Sequence, residues 1–118
     1  MIAHVVLFQP KPDLSAEEID RFVGALAKGF REIPGIRWVR VGKRLQLGVM
    51  YAQEPDQTPY SHAAILEFDD RQSFIEYLEH PAHAEIGRRF WEACASTLIL
   101  DLETVNPVVD SLENILVK

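Results

Sequence analysis

One stretch of this chain is apolar on both sides, and a second is mostly so. A strand of that kind cannot lie on a sheet surface that faces water. Ile2 to Gln9 is rich in β-branched and aromatic residues and is closed by Pro10 and Pro12, the pattern of a strand. Side chains alternate across a strand, so Ile2, His4, Val6 and Phe8 share one face, and Ala3, Val5 and Leu7 share the other. Tyr60 to Phe68 repeats the pattern. His62, Ala64, Leu66 and Phe68 stand against Ser61, Ala63, Ile65 and Glu67. An antiparallel sheet in water needs only one apolar face. Here both faces need cover.

The elements between these strands supply cover for one face. Ser15-Ala-Glu-Glu18 has the capping-box pattern, and a helix follows to about Glu32. Its expected apolar stripe is Ile19, Phe22, Val23, Leu26, Phe30 and Ile33, and Pro34-Gly35 ends it. Ile36 to Val41 predicts a second strand, and the pattern allows an extension to Leu47. Gly48 to Pro59 predicts a loop, with turn residues over 53–59. Asp69 or Asp70 caps a further helix that ends near Glu79 or His80. Pro81 is suited to the first position of a new helix. That helix carries His83, Gly87, Phe90, Trp91 and Cys94 at helical spacing. Thr97 to Val105 predicts a fourth strand, with Leu98, Leu100 and Leu102 alternating against Ile99, Asp101 and Glu103. Asn106-Pro107 then opens a tail, a short helix or an arm.

The order is β-α-β-β-α-β, with the second helix in two pieces. It predicts an α+β, ferredoxin-like fold with a four-stranded antiparallel sheet and helices on one face. Residues 1–105 form the expected domain and 106–118 a C-terminal extension. In 118 residues nothing remains to cover the second sheet face. A second copy, sheet against sheet, meets the need with the fewest parts, so a homodimer is expected.

The net charge of −6 with no basic block argues against nucleic acid or an anionic membrane as partner. The single cysteine, Cys94, precludes an intrachain disulfide and is expected to be a buried, inert thiol. The first residues have neither the basic nor the long apolar segment of a signal peptide, and no apolar run has spanning length. The expected location is cytoplasmic.

Chemistry concentrates in Phe74 to His83, where Tyr77, His80 and His83 fall within seven residues. Tyr77 and His83 lie on the faces that turn inward. Burial and neighbours can move an imidazole or a phenol towards working pH, which suits both to proton transfer. If the helices cover the Ile2/His4/Val6/Phe8 face, His4 and His62 join the same layer. Four polar groups in one apolar layer point to a cavity that admits a small ligand. The same residues also suit a binding cavity without turnover, or a core in which the histidines are only packed. His80 and His83 are three apart and flanked by Glu79 and Glu85, but Pro81 separates them and zinc needs three or four ligands. No metal and no cofactor is expected.

His4-Val-Val-Leu-Phe8, Tyr60-Ser-His62, Tyr77-Leu-Glu-His-Pro-Ala-His83 and Leu100-Asp-Leu-Glu103 together resemble the stress-responsive A/B barrel (Dabb) family. The resemblance spans residues 1 to about 105. It implies a ferredoxin-like dimer whose two sheets close an α+β barrel. Most members have no assigned reaction. The chain is also similar to the polyketide cyclases of that family, of the olivetolic acid cyclase kind. These close a ring by aldol-type chemistry without metal or redox cofactor. By that resemblance His83 is the general base, Tyr77 holds or polarises the substrate carbonyl, and His4 and His62 bind and orient the substrate. The ligand implied is a small apolar or carbonyl-containing compound.

Sedimentation equilibrium at micromolar concentration is expected to return twice the 13.4 kDa chain mass, and a monomer would overturn the homodimer.

Overall fold

In the computed structural model, which describes residues 1–45, 47 and 60–116, the double-faced strands lie at the centre of one sheet. β1 is Ile2–Pro10, β2 is Ile36–Lys43, β3 is His62–Phe68 and β4 is Cys94–Glu103. Their order is β2-β3-β1-β4, and all neighbours run antiparallel. The sequence-based limits shift slightly. β3 starts at His62 rather than Tyr60, β4 starts three residues before Thr97, and β2 stops before Leu47. The expected loop over 48–59 lies outside the described residues.

α1 (Ala16–Glu32) begins where the capping box places it. Glu18 N–H donates to Ser15 Oγ at 3.1 Å, and Ser15 N–H donates to Glu18 Oε1 at 3.2 Å. α2 (Arg71–Glu79) is capped by Asp70, whose Oδ1 accepts from Ser73 N–H at 2.8 Å. α3 is Pro81–Ala93. After β4, the Asn106 side chain accepts from Val108 N–H and caps a turn, and a single turn of helix, α4, covers Glu113–Leu116.

The helices cover the face expected of them. Ile2, His4, Val6 and Phe8 meet Phe68, Leu66, Ala64 and His62 across β1–β3. The core beneath α1, α2 and α3 holds Phe22, Ile33, Tyr77, Ile86 and Ala93. Phe8, Phe22 and Phe90 pack edge to face, with centroids 4.9 to 6.1 Å apart. Two expected members of the α1 stripe, Ile19 and Val23, are exposed. Their places against the core go to Ala25 and Gly29, because α1 lies close enough to α3 that only small residues fit there. Leu78 also turns outward. Cys94 is buried but opens β4 instead of closing the α3 stripe, and burial pushes its thiol up to about 11.

Among the described residues nothing covers the other face. Leu98, Leu100 and Leu102 of β4 are exposed, beside half-buried Val5, Leu7, Ala63 and Ile65. Trp38 stands on the same face, with the Arg40 guanidinium 5.3 Å from its ring centroid. No helix among the described residues is long and apolar enough to cross a membrane.

Gly29 marks the closest approach of α1 to α3. A Cβ there would lie 2.3 Å from Ile86 Cδ1 and 2.9 Å from Ile86 Cγ1. Overpacking a tight core costs about 1–3 kcal/mol. Gly29→Val is therefore expected to destabilise the fold by that amount in urea denaturation, and Ile86→Ala in the same background to recover part of the loss.

Candidate active site

The chain between α2 and α3 is shaped by one dipeptide. Pro81 disfavours helical φ/ψ in the residue before it and cannot supply an interior N–H. His80 is accordingly extended, with φ −68° and ψ 139°, and serves both helices. Its N–H donates to the Tyr77 carbonyl at 3.2 Å, and its Nδ1 accepts from Ala82 N–H at 3.0 Å. His80 is thus a cap, and its Nδ1 is occupied. The break turns the first turn of α3 back towards the last turn of α2. The Tyr77 and His83 rings meet edge to face with centroids 4.8 Å apart.

His4 approaches the same point from β1. Its ring is 5.8 Å from that of Tyr77 and 5.2 Å from that of Phe74. Behind it lies Asp101, its direct partner across β1–β4, with His4 Nδ1 and Asp101 Oδ1 2.6 Å apart. An ionised carboxylate only accepts, so Nδ1 carries the proton and donates. Asp101 fixes the ring and leaves Nε2 free of that bond. His4 is 4% exposed, so this hydrogen bond also offsets the cost of burying its polar edge.

His4, Tyr77 and His83 line one cavity of about 190 Å³. Its walls are otherwise mostly apolar, from Val6, Ala64 and Leu66 of the sheet and from Phe30, Ile86 and Phe90 of the helices. Burial pushes the Tyr77 phenol up to about 12, so it stays a hydrogen-bond donor at any working pH. Burial, and then the neighbouring His4, lower the His83 pKa, while a hydrogen bond to the Leu78 backbone partly opposes them. His83 is therefore neutral at neutral pH, the form that can take a proton.

His62 is placed elsewhere. It shares the sheet face of His4 but sits opposite Phe8, four residues further along β1. Its ring stacks on Phe8 at 5.3 Å, and Ser61 Oγ lies 2.6 Å from its Nδ1. It lines a separate open hollow with Leu7, Lys43, Arg44 and Tyr60. Of the four residues singled out in the sequence, the structure brings three together. Asp101 is the member that residue patterns missed. The sequence offered only a carboxylate between Leu100 and Leu102, with nothing to tie it to His4.

The chain belongs to the stress-responsive A/B barrel family, whose domain model matches residues 2–104. A stress-response A/B barrel domain-containing protein, HS1, from Arabidopsis thaliana is 25% identical over 100 residues, covering 85% of this chain and 86% of that protein. The solved structure of a hydroxynitrile lyase from Passiflora edulis superposes with a TM-score of 0.71 at 21% identity, covering 89% of this chain and 96% of that one. A dimeric ferredoxin-like protein of unknown function from Thermobifida fusca gives a TM-score of 0.66 at 20% identity, covering 87% and 90%. At these identities the two structures bear on the fold alone.

The depressed His83 pKa has a consequence for stability. In the unfolded chain His83 binds protons from about pH 6.5 downwards, while the folded state binds them only at lower pH. Stability from this residue is complete above 6.5 and is lost as pH falls through the folded pKa. Urea denaturation is expected to show stability falling as pH drops below about 6.5, with a shallower fall in His83→Phe.

Proposed function

We propose that this protein is a homodimeric acid–base catalyst acting on a small carbonyl compound, in the direction of either ring closure or cleavage. The observation that carries the reading is the meeting of His4, Tyr77 and His83 in one apolar cavity, with Asp101 hydrogen-bonded behind His4. Neutral His83 is the base: for closure it removes a proton α to a carbonyl and returns it to the alkoxide formed with the new C–C bond, and for cleavage it removes the hydroxyl proton, the C–C bond breaks, and the proton goes to the leaving carbanion or cyanide. Tyr77, held protonated by burial, donates to the carbonyl oxygen as negative charge develops there, where a dry site makes the interaction strong. Asp101 positions His4 in the cavity wall. Aldol-type closure and its reverse use the same proton inventory, so one site serves a cyclase or a lyase. The Passiflora edulis enzyme supports the reading to the extent that this fold houses a lyase. The chain's own side chains supply every proton transfer in this scheme.

The dimer follows from the bare sheet face. Leu98, Leu100 and Leu102 lie beside Val5, Leu7 and Ile65, an apolar surface that a second copy covers with its own. Dimeric relatives of the same fold support it.

The test is turnover of two substrate sets, aromatic cyanohydrins and linear β-polyketo thioesters. Removing a general base or a positioned donor typically costs about 10²–10⁴-fold. His83→Ala and Tyr77→Phe are each expected to lower kcat/KM within that range while leaving the fold intact by circular dichroism. Undiminished turnover in His83→Ala would overturn the assignment. A ligand bound by the wild type and recovered unchanged would make the cavity a binding site without turnover.

A further inference from the structure

His83, Gly87 and Trp91 stand four residues apart on α3, and all three line the cavity. Residues at that spacing share one face of a helix. Along this line the surface opens step by step. His83 is half-buried, Gly87 is exposed and Trp91 is 87% exposed. The cavity therefore reaches solvent beside α3, with Gly87 between the base and the outermost aromatic ring.

Glycine in the middle of a helix is unfavourable and usually has a structural reason. Structural reasons for a glycine are visible at two other places in this fold. Gly35 has φ +88° in the turn after α1, and Gly29 lies where a Cβ would strike Ile86. Neither applies to Gly87. Its φ is not positive, and a Cβ built on it meets no heavy atom of the described residues within 4 Å. The fold does not need the missing side chain.

We infer that Gly87 is the entrance to the His83 cavity and sets the size of the compound admitted. The entrance follows from geometry alone. The class of compound rests on the acid–base reading given above. Apolar cavities of about 150 Å³ take one benzene ring. The present cavity, at about 190 Å³ and walled by Phe30, Phe90 and Ile99, fits a single-ring aromatic or short-chain carbonyl compound.

Diethyl pyrocarbonate acylates neutral imidazole, so its reaction with His83 reports access through the entrance, whether or not the protein turns anything over. Peptide mass spectrometry gives the rate at each histidine. In Gly87→Leu, the His83 rate is expected to fall by about tenfold, ~1.4 kcal/mol in activation free energy, with His62 and His80 unchanged. Gly87→Ala, the milder variant, is expected to melt higher than the wild type and to slow His83 only slightly. Benzaldehyde is expected to protect His83 in the wild type and 9-anthraldehyde to leave it reactive. An unchanged His83 rate in folded Gly87→Leu, or an unreactive His83 in the wild type, overturns the entrance. Protection by anthraldehyde overturns the size limit. Absence of turnover in the wild type would refute the acid–base reading and leave these rates to stand by themselves.

Discussion

The site depends on a helix that is not allowed to continue. At about 100° per residue, two positions six apart on an unbroken helix point to different sides. Tyr77 and His83 are six apart, and they meet because Pro81 ends one helix and starts the next. The break costs little backbone hydrogen bonding. His80 caps both ends of the gap, satisfying groups that a plain interruption would leave open. The two short helices can then lie at separate angles on the sheet. α2 packs Phe74 and Tyr77 over Phe68, and α3 packs Ile86 and Phe90 against α1. A residue in place of Pro81 that let the helix run on would move the imidazole before it moved anything else.

Once the rings are together, burial decides their chemistry. Desolvation acts on Tyr77 and His83 in opposite senses of charge but to the same end, because each is held in its neutral form. One neutral group keeps its proton and the other lacks one. That is a donor and an acceptor side by side, with no ion needed to create the difference. His4 is treated differently. Asp101 supplies a charged partner from the neighbouring strand, so its ring is fixed by a hydrogen bond and not by packing alone.

Much of this was legible in the residues. The capping box, the Pro81 boundary, the two apolar faces of β1 and the inward direction of His4, Tyr77 and His83 all follow from local rules that act within a few residues. What stayed hidden depends on longer distances. His62 shares a face with His4, yet four strand residues separate their levels, roughly 13 Å along the sheet. Alternation reports the face and is blind to position along it. Asp101 looks like an ordinary solvent-facing carboxylate until the β1–β4 register sets it opposite His4. Ile19 and Val23 fit the helical period, but the close approach at Gly29 rotates α1 away from them. Each miss concerns a register or a crossing, which only the assembled chain determines.

β4 deals its residues alternately to two tasks. Thr97, Ile99 and Asp101 go to the cavity side, and Leu98, Leu100 and Leu102 go to the bare face. The helical wall, with Phe30, Gly87 and Phe90, has no share in that face. Selection can therefore redraw the pocket through α1 and α3 while leaving the sheet surface untouched. β4 has no such liberty, because a slip of one residue would exchange both sets at once. Across descendants of such a chain, the helices are the natural ground for new specificities, and the last strand is where ancestry should persist.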